Sequence, residues 1–244
     1  MSIADKVLQL KTDFDEVHES GKQAQNDWFW DTLQRNGRNE NYSCTFAGSW
    51  VPSMFYPKYD MNVLRCDYMF QTFANNYCWD ESLDLVERLN ECGVVLDTSK
   101  ATVMSYMFAY ARISHIGVLN CISTSALSYM FSSASAIITI DKIILKDDGS
   151  QTFSGAFTGC SSLENIVFEG VIGNNIDFKN CPLSTASIVS IIEHLSSTKS
   201  ATLTLKASAK ESMVFPYTSP QTNTTYNSWD ELVATKSAWT ISLL

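Results

Sequence analysis

The chain is short of positive charge. Its 244 residues include 17 Lys plus Arg against 26 Asp plus Glu, a formal net charge of −9. No basic stripe runs through it. That argues against nucleic-acid binding, which needs clustered Lys and Arg on phosphates, and against an anionic membrane surface. Charged residues of both signs make up only 18% of the chain, against 45% hydrophobic. This is too little charge for a disordered chain, and enough apolar material for a sizeable core. Long hydrophobic runs are missing as well. The longest apolar stretch, Ala136–Leu145, is broken by Thr139, Asp141 and Lys142, well short of the ~18 uninterrupted residues of a membrane span. No membrane insertion is expected. The opening MSIADKVLQLKTDFDEVHES has no basic region followed by an apolar one, so it does not read as a secretory signal. Synthesis in a cytoplasm is the expectation, with transport outside only by another carrier.

Chemistry-bearing motifs are missing too. There is no G-x-S-x-G elbow, no P-loop, no G-x-G-x-x-G and no H-E-x-x-H. The three histidines, His18, His115 and His194, lie far apart. The seven cysteines, at 44, 66, 78, 92, 121, 160 and 181, form no C-x-x-C and no zinc-ligand spacing. They read as reduced, mostly buried thiols. Cys121 and His115 lie six residues apart, without a third group to orient the imidazole, and do not read as a catalytic pair. No catalytic residue, metal site or cofactor is expected, and the chain is read as a non-enzyme.

What is present begins with an amphipathic seam. Ile3, Val7, Leu10, Phe14 and Val17 recur at steps of 4, 3, 4 and 3, one face of a helix with Ser2 as N-cap and Gly21 at its end. Two readings stay open: a helix packed on its own domain, or a self-associating stalk that would make a homotrimer. Trp28, Phe29, Trp30 and the segment WVPSMFYPKY at 50–59 are rich in aromatics. They read as the cover of a core end rather than a sugar-stacking surface.

The middle of the chain repeats. Phe70, Phe108, Phe131, Phe157 and Phe178 are landmarks separated by 38, 23, 26 and 21 residues. Three residues after each comes Phe73, Ala111, Ala134, Cys160 or Cys181, a mostly small column. Then come Ile113, Ile137, Leu163 and Leu183. Ile116, Ile140 and Ile166 follow in the middle copies, and Val118 and Phe168 at the next alternate position. The pattern predicts short strands with alternate residues inward. A period in the twenties predicts stacked coils that share one core. The long first step holds an insertion: Asp80 is the expected N-cap of a helix at 81–92, ending at Gly93. A terminal helix at 185–195, a strand at Ala201–Leu205 and a polar linker at Pro216–Ser228 follow. Ser228-x-x-Glu231 reads as a capping box, and Trp239–Leu243 as a closing strand.

MSYMFAYARISHIGVLN, LSYMFSSASAIITI and AFTGCSSLENIVFEG resemble the surface-protein leucine-rich repeat of the BspA-like kind, over roughly residues 60–205. The ends (IADKVLQL with GKQAQNDWFWDTLQRNG, YPKYD, CPLSTASIVSIIEHLSS with ATLTL, and WDELVATKSAWTISLL) are similar to proteins encoded by phages and prophages of gut Firmicutes. The resemblance implies an α/β repeat fold: a short capped leucine-rich-repeat solenoid with a parallel β ladder behind an N-terminal helical region. The expected divisions are 1–59 as a helical and aromatic capping or attachment region, 60–205 as the solenoid, and 206–244 as a linker with a capping helix and strand. The resemblance also implies non-catalytic recognition by a phage tail protein, borne on the virion, of a protein or glycan on a bacterial surface. The alternatives are a bacterial cell-surface adhesin and a structural tail or assembly protein. The candidate ligand-facing residues are the outward positions of the ladder: His115, Thr139, Asp141, Asn165 and Glu169, with Gly117 and Val167 between them. The bland alternative is that this face is merely solvated.

Overall fold

The computed structural model describes residues 20, 21, 24, 27, 28, 30, 31, 55–65, 69 and 83–244. The seam Ile3–Val17 and the landmark Phe70 lie outside the described residues. The fold is mixed α/β, with parallel strand sheets and few helices. In chain order come β1 (Met61–Asn62), β2 (Leu83–Asp84), α1 (Leu85–Cys92), β3 (Leu96–Asp97), β4 (Ile113–Asn120), β5 (Thr139–Ile144), β6 (Asn165–Glu169) and β7 (Ile176–Phe178). They are succeeded by α2 (Thr185–Glu193), β8 (Thr202–Leu205), α3 (Ala209–Ser212), β9 (Tyr217–Thr218), β10 (Thr225–Tyr226), α4 (Trp229–Ala234) and β11 (Thr240–Leu243). Two sheets form the frame. One is four-stranded, in the order β2-β4-β5-β6, and the other three-stranded, β11-β8-β7; all their pairings are parallel. Neither closes on itself.

The landmark phenylalanines stand in a row. Phe108 and Phe131 stack with centroids 5.6 Å apart, Phe131 and Phe157 at 5.2 Å, and Phe157 and Phe178 at 4.4 Å. All four are buried, as are Ala111, Ala134, Cys160 and Cys181 behind them. The small column has a steric reason: Cys160 Sγ lies 3.0 Å from the Phe131 carbonyl, a distance a larger side chain could not keep. Backbone bonds tie the rows together. Phe108 N–H donates to Met130 O at 2.8 Å, and Phe131 N–H to Ala156 O at 2.9 Å. The turns around Phe108, Phe131 and Phe157 repeat a backbone feature that Phe178 lacks. Residues two before each of the three (Tyr106, Tyr129, Gly155) and two after (Tyr110, Ser133, Gly159) all have positive φ, between 54° and 78°. For the non-glycines this conformation costs roughly 1 kcal/mol each. Only the third turn fills both places with glycine.

The strand pattern departs from the expected alternation. β4 buries Ile113, Ile116 and Leu119, every third residue, while Val118 is 51% exposed. Strict alternation would turn Val118 inward; Leu119 takes that place and pairs with Ile143. β5 buries Ile140 and Ile143 in step with β4, and β6 returns to alternation with Ile166 and Phe168. The mismatch is absorbed between β5 and β6, where Asp141 and Lys142 together stand opposite Val167. That is a bulge, and it turns an extra polar residue outward.

The insertion helix begins later than expected. Asp84, not Asp80, is its N-cap, and its side chain accepts from Glu87 N–H at 2.9 Å. Leu83 and Asp84 are held extended as the edge strand beside β4, so the helix cannot start before Leu85. Gly93, at φ +65°, ends it and donates to Asn90 O.

α2 lies along β6, where another strand would pair. It is buried from Ser187 through Ile192, with Ile188, Val189, Ile191 and Ile192 in the core and Leu195 just beyond. Two of its serines satisfy the free edge of β6. Ser187 Oγ accepts from Ile166 N–H at 2.9 Å, and Ser190 Oγ from Phe168 N–H at 3.0 Å. A helix that supplies side-chain acceptors to a strand edge removes a template for further pairing.

The segment expected as a polar linker is ordered. β9 and β10 form an antiparallel hairpin, and its hydroxyls converge on Glu193. Ser219, Thr222 and Tyr226 all donate to that carboxylate, at 2.8, 2.6 and 3.1 Å. Burial, followed by the charge and hydrogen bond of Glu193, pushes the Tyr226 hydroxyl up to about 12. Ser228 caps α4 in line with the capping-box pattern, its side chain accepting from Glu231 N–H. The Glu231 carboxylate reaches one residue further back than a capping box requires, to Asn227 N–H. Glu193 was not legible as a hub, because its partners lie 26 to 33 residues away.

Candidate functional site

The outer face of β2-β4-β5-β6 collects the predicted ligand-facing residues. Asp84, His115, Thr139 and Asn165 stand in register across the four strands. His115 is the centre of the row. Its Nδ1 lies 3.1 Å from Asp84 Oδ2, and its Nε2 2.9 Å from Asp141 Oδ1. A neutral imidazole has one N–H, so contacts from both nitrogens to carboxylates call for the doubly protonated ring. Burial pulls the pKa of His115 down, the hydrogen bonds of Asp141 and Asp84 push it up, and the net result is a rise. Asp141, next to the buried Ile140, faces outward beside the ring, and the bulge turns Lys142 out after it. Glu169 stands apart, at the far end of β6, and pairs with Lys142 at 2.9 Å. Asn165 is exposed, Thr139 half-buried.

At one end of this face α1 packs onto β4. Gly117 permits the approach: a Cβ there would lie 3.2 Å from Val86 Cγ2. Beside the contact is a groove of about 190 Å³ lined by Leu85, Val86, Leu89 and Val118, among others. A separate polar cleft of about 400 Å³ lies between the turns that come after β5, β6 and α2. Its polar groups largely serve the backbone. Lys236 Nζ donates to Glu193 O and Leu195 O at 2.8 and 2.6 Å, closing the C-terminal end of α2. His194 Nδ1 donates to Ser190 O at 2.7 Å. Burial lowers the Lys236 pKa, against the opposing pull of Glu193.

Cys121 and His115 are not partners. Cys121 is buried, its thiol pushed up to about 12 by burial, and it donates to Leu119 O. Both nitrogens of His115 are taken by carboxylates. Cys181 has its pKa raised by the neighbouring Cys160 thiol and by burial. Among the described residues, no three His, Cys, Asp or Glu side chains gather to hold a metal. No described helix is long and apolar enough to cross a membrane.

Sequence reasoning placed His115, Thr139, Asp141 and Asn165 on one face. It missed Asp84, which holds His115, and Lys142, which holds Glu169. The Asp84 contact needed the strand register, which no local pattern carries. No family model, no curated protein and no solved structure matches this chain.

Proposed function

We propose that the chain is a non-catalytic recognition module built on a short, capped leucine-rich-repeat solenoid. In this reading it is carried by a phage or prophage tail and engages a protein or glycan on a bacterial cell surface. The observation that carries the reading is the row of Phe108, Phe131, Phe157 and Phe178 at 4.4–5.6 Å. It supports coils stacked on a common core, whose sheets leave an outer face open to a partner. The sealed edge of β6 supports the capped end.

The test uses the full chain, fluorescently labelled, on intact gut Firmicutes cells. Saturable retention on some strains, displaced by unlabelled chain, is expected; no retention on any strain of the panel overturns the proposal. Surface labelling of the producing cell by antibody would replace the virion by a bacterial adhesin. Defective particles on gene deletion, with unchanged host range, would replace recognition by assembly. The homotrimer reading, which rests on Ile3–Val17, expects sedimentation as a trimer that deletion of residues 1–21 abolishes.

A further inference from the structure

We infer that the ligand-binding surface is the outer face of β7-β8-β11 with its adjoining groove, and that its ligand is a neutral saccharide. The inference rests on the recognition reading and names the ligand class. On β8 the pattern Thr202, Leu203, Thr204, Leu205 puts the leucines in the core and the threonines outside. The neighbouring strands match it. Thr240 stands beside Thr202, Ser242 beside Thr204, and Asp177 on the other side of Thr204. Two strands, β8 and β11, therefore present a lattice of four hydroxyls flanked by Asp177 of β7, with spacings of about 4.8 Å across strands and 6.7 Å along them. None of the four hydroxyls, on Thr202, Thr204, Thr240 and Ser242, hydrogen-bonds to another side chain within the described residues.

A groove of about 380 Å³ adjoins this lattice. It is lined by Thr202, Thr204, Asn175, Asp177, Ser154 and Gly155, with Phe153 and Ile176. That volume is within the roughly 300–1,000 Å³ of small-molecule sites. Its origin lies in the turn column. Two residues before Phe108, Phe131 and Phe157 stand Tyr106, Tyr129 and Gly155. The two tyrosine rings stack at 5.0 Å, and Tyr129 then lies over Gly155, where a Cβ would come within 2.5 Å of its ring. The tyrosine column therefore stops, and the next turn leaves an opening. Tyr129 itself is exposed and adjoins the groove through Gly155.

The chemistry of the lining selects the ligand. Hydroxyls donate and accept, the Asn175 side-chain oxygen is held by Thr202 N–H, and its amide hydrogens are left to donate. The one charged side chain among the lining residues, Asp177, is held near Lys179, at 3.5 Å, and accepts from the Lys179 N–H. Uncharged hydroxyl and amide groups beside an aromatic edge complement a sugar, whose own groups both donate and accept. They offer little to a phosphate, and little to a cationic peptide. The ladder face differs: its charged groups already hold one another.

The test is an array of neutral glucan, galactan, mannan and N-acetylglucosamine oligomers, probed with the full chain. Wild type is expected on at least one of them. The Thr202→Val/Thr204→Val double variant, which keeps β-branched residues on the strand, is expected to lose at least about tenfold in affinity, near 1.4 kcal/mol, with an unchanged circular dichroism spectrum. His115→Gln is expected to bind as wild type does. Retention of no neutral oligosaccharide, or equal retention of the double variant, overturns the inference. The assay on intact cells then separates the two ideas. Cells bound equally well by the double variant leave recognition standing and remove this site; cells not bound by wild type remove both.

Discussion

The two parallel sheets carry opposite kinds of outer face. On β2-β4-β5-β6 the charged groups are engaged with one another: His115 spans Asp84 and Asp141, and Lys142 holds Glu169. On β7-β8-β11 the outward hydroxyls have no such partners among the described residues. The difference comes from chain position. The first sheet runs through the repeats, where outward charges on adjacent strands come within reach and neutralise one another. The second joins the last repeat strand, β7, to two segments outside the repeats, β8 and β11, and most of its outward residues are short and uncharged. An outward side chain on a ladder is therefore not automatically a binding residue, and its existing partners decide.

The comparison breaks most completely if the shared core is removed. Phe157 touches the rows of both sheets, stacking on Phe131 and on Phe178. Phe157→Ala should cost about 3–5 kcal/mol, read as a fall in the denaturation midpoint, with both sheets losing protection together in hydrogen exchange. Loss confined to one sheet would mean that the two stand independently. Next comes the seal on β6. Ser187→Ala with Ser190→Ala leaves two buried N–H groups unpartnered and should cost about 2–4 kcal/mol, with faster exchange at Ile166 and Phe168.

The third prediction is confined to the ladder face. The pKa of His115 is raised on folding, so its contribution is full below about pH 6.5 and fades as pH rises through the higher folded value. For a solvent-screened pair the loss should be about 0.2–1 kcal/mol. His115→Gln should remove this pH dependence while leaving the Thr202 face untouched, as tracked by pH-resolved denaturation. The smallest effect belongs to the second face. Thr202→Val with Thr204→Val should change stability by no more than about 0.5 kcal/mol, so a binding loss there would not be a folding loss.

Much of the repeat was legible because it is periodic. The phenylalanine row, the small column and the inward isoleucines all come from spacing, and so does the face of α2. Register was not legible. Val118 and Leu119 exchange places because of the bulge that β6 alone does not share, and a single-strand pattern cannot show what its neighbour omits. Asp84 escaped for a related reason: its strand is two residues long, and only pairing with β4 fixes where the helix begins. The Thr202-x-Thr204 alternation was visible as a strand, but nothing in the sequence set Thr240 and Ser242 beside it.

The serine seal on β6 also governs how such an array could change length. Ser187 and Ser190 are matched to two particular amides, so a coil added after β6 would displace both acceptors and reopen a sticky margin. A coil inserted upstream, between β4 and β5, would meet ordinary strand on either side and leave that closure intact. Growth by duplication of strands is thus channelled to the interior of the sheet, and a designed longer version should be built there.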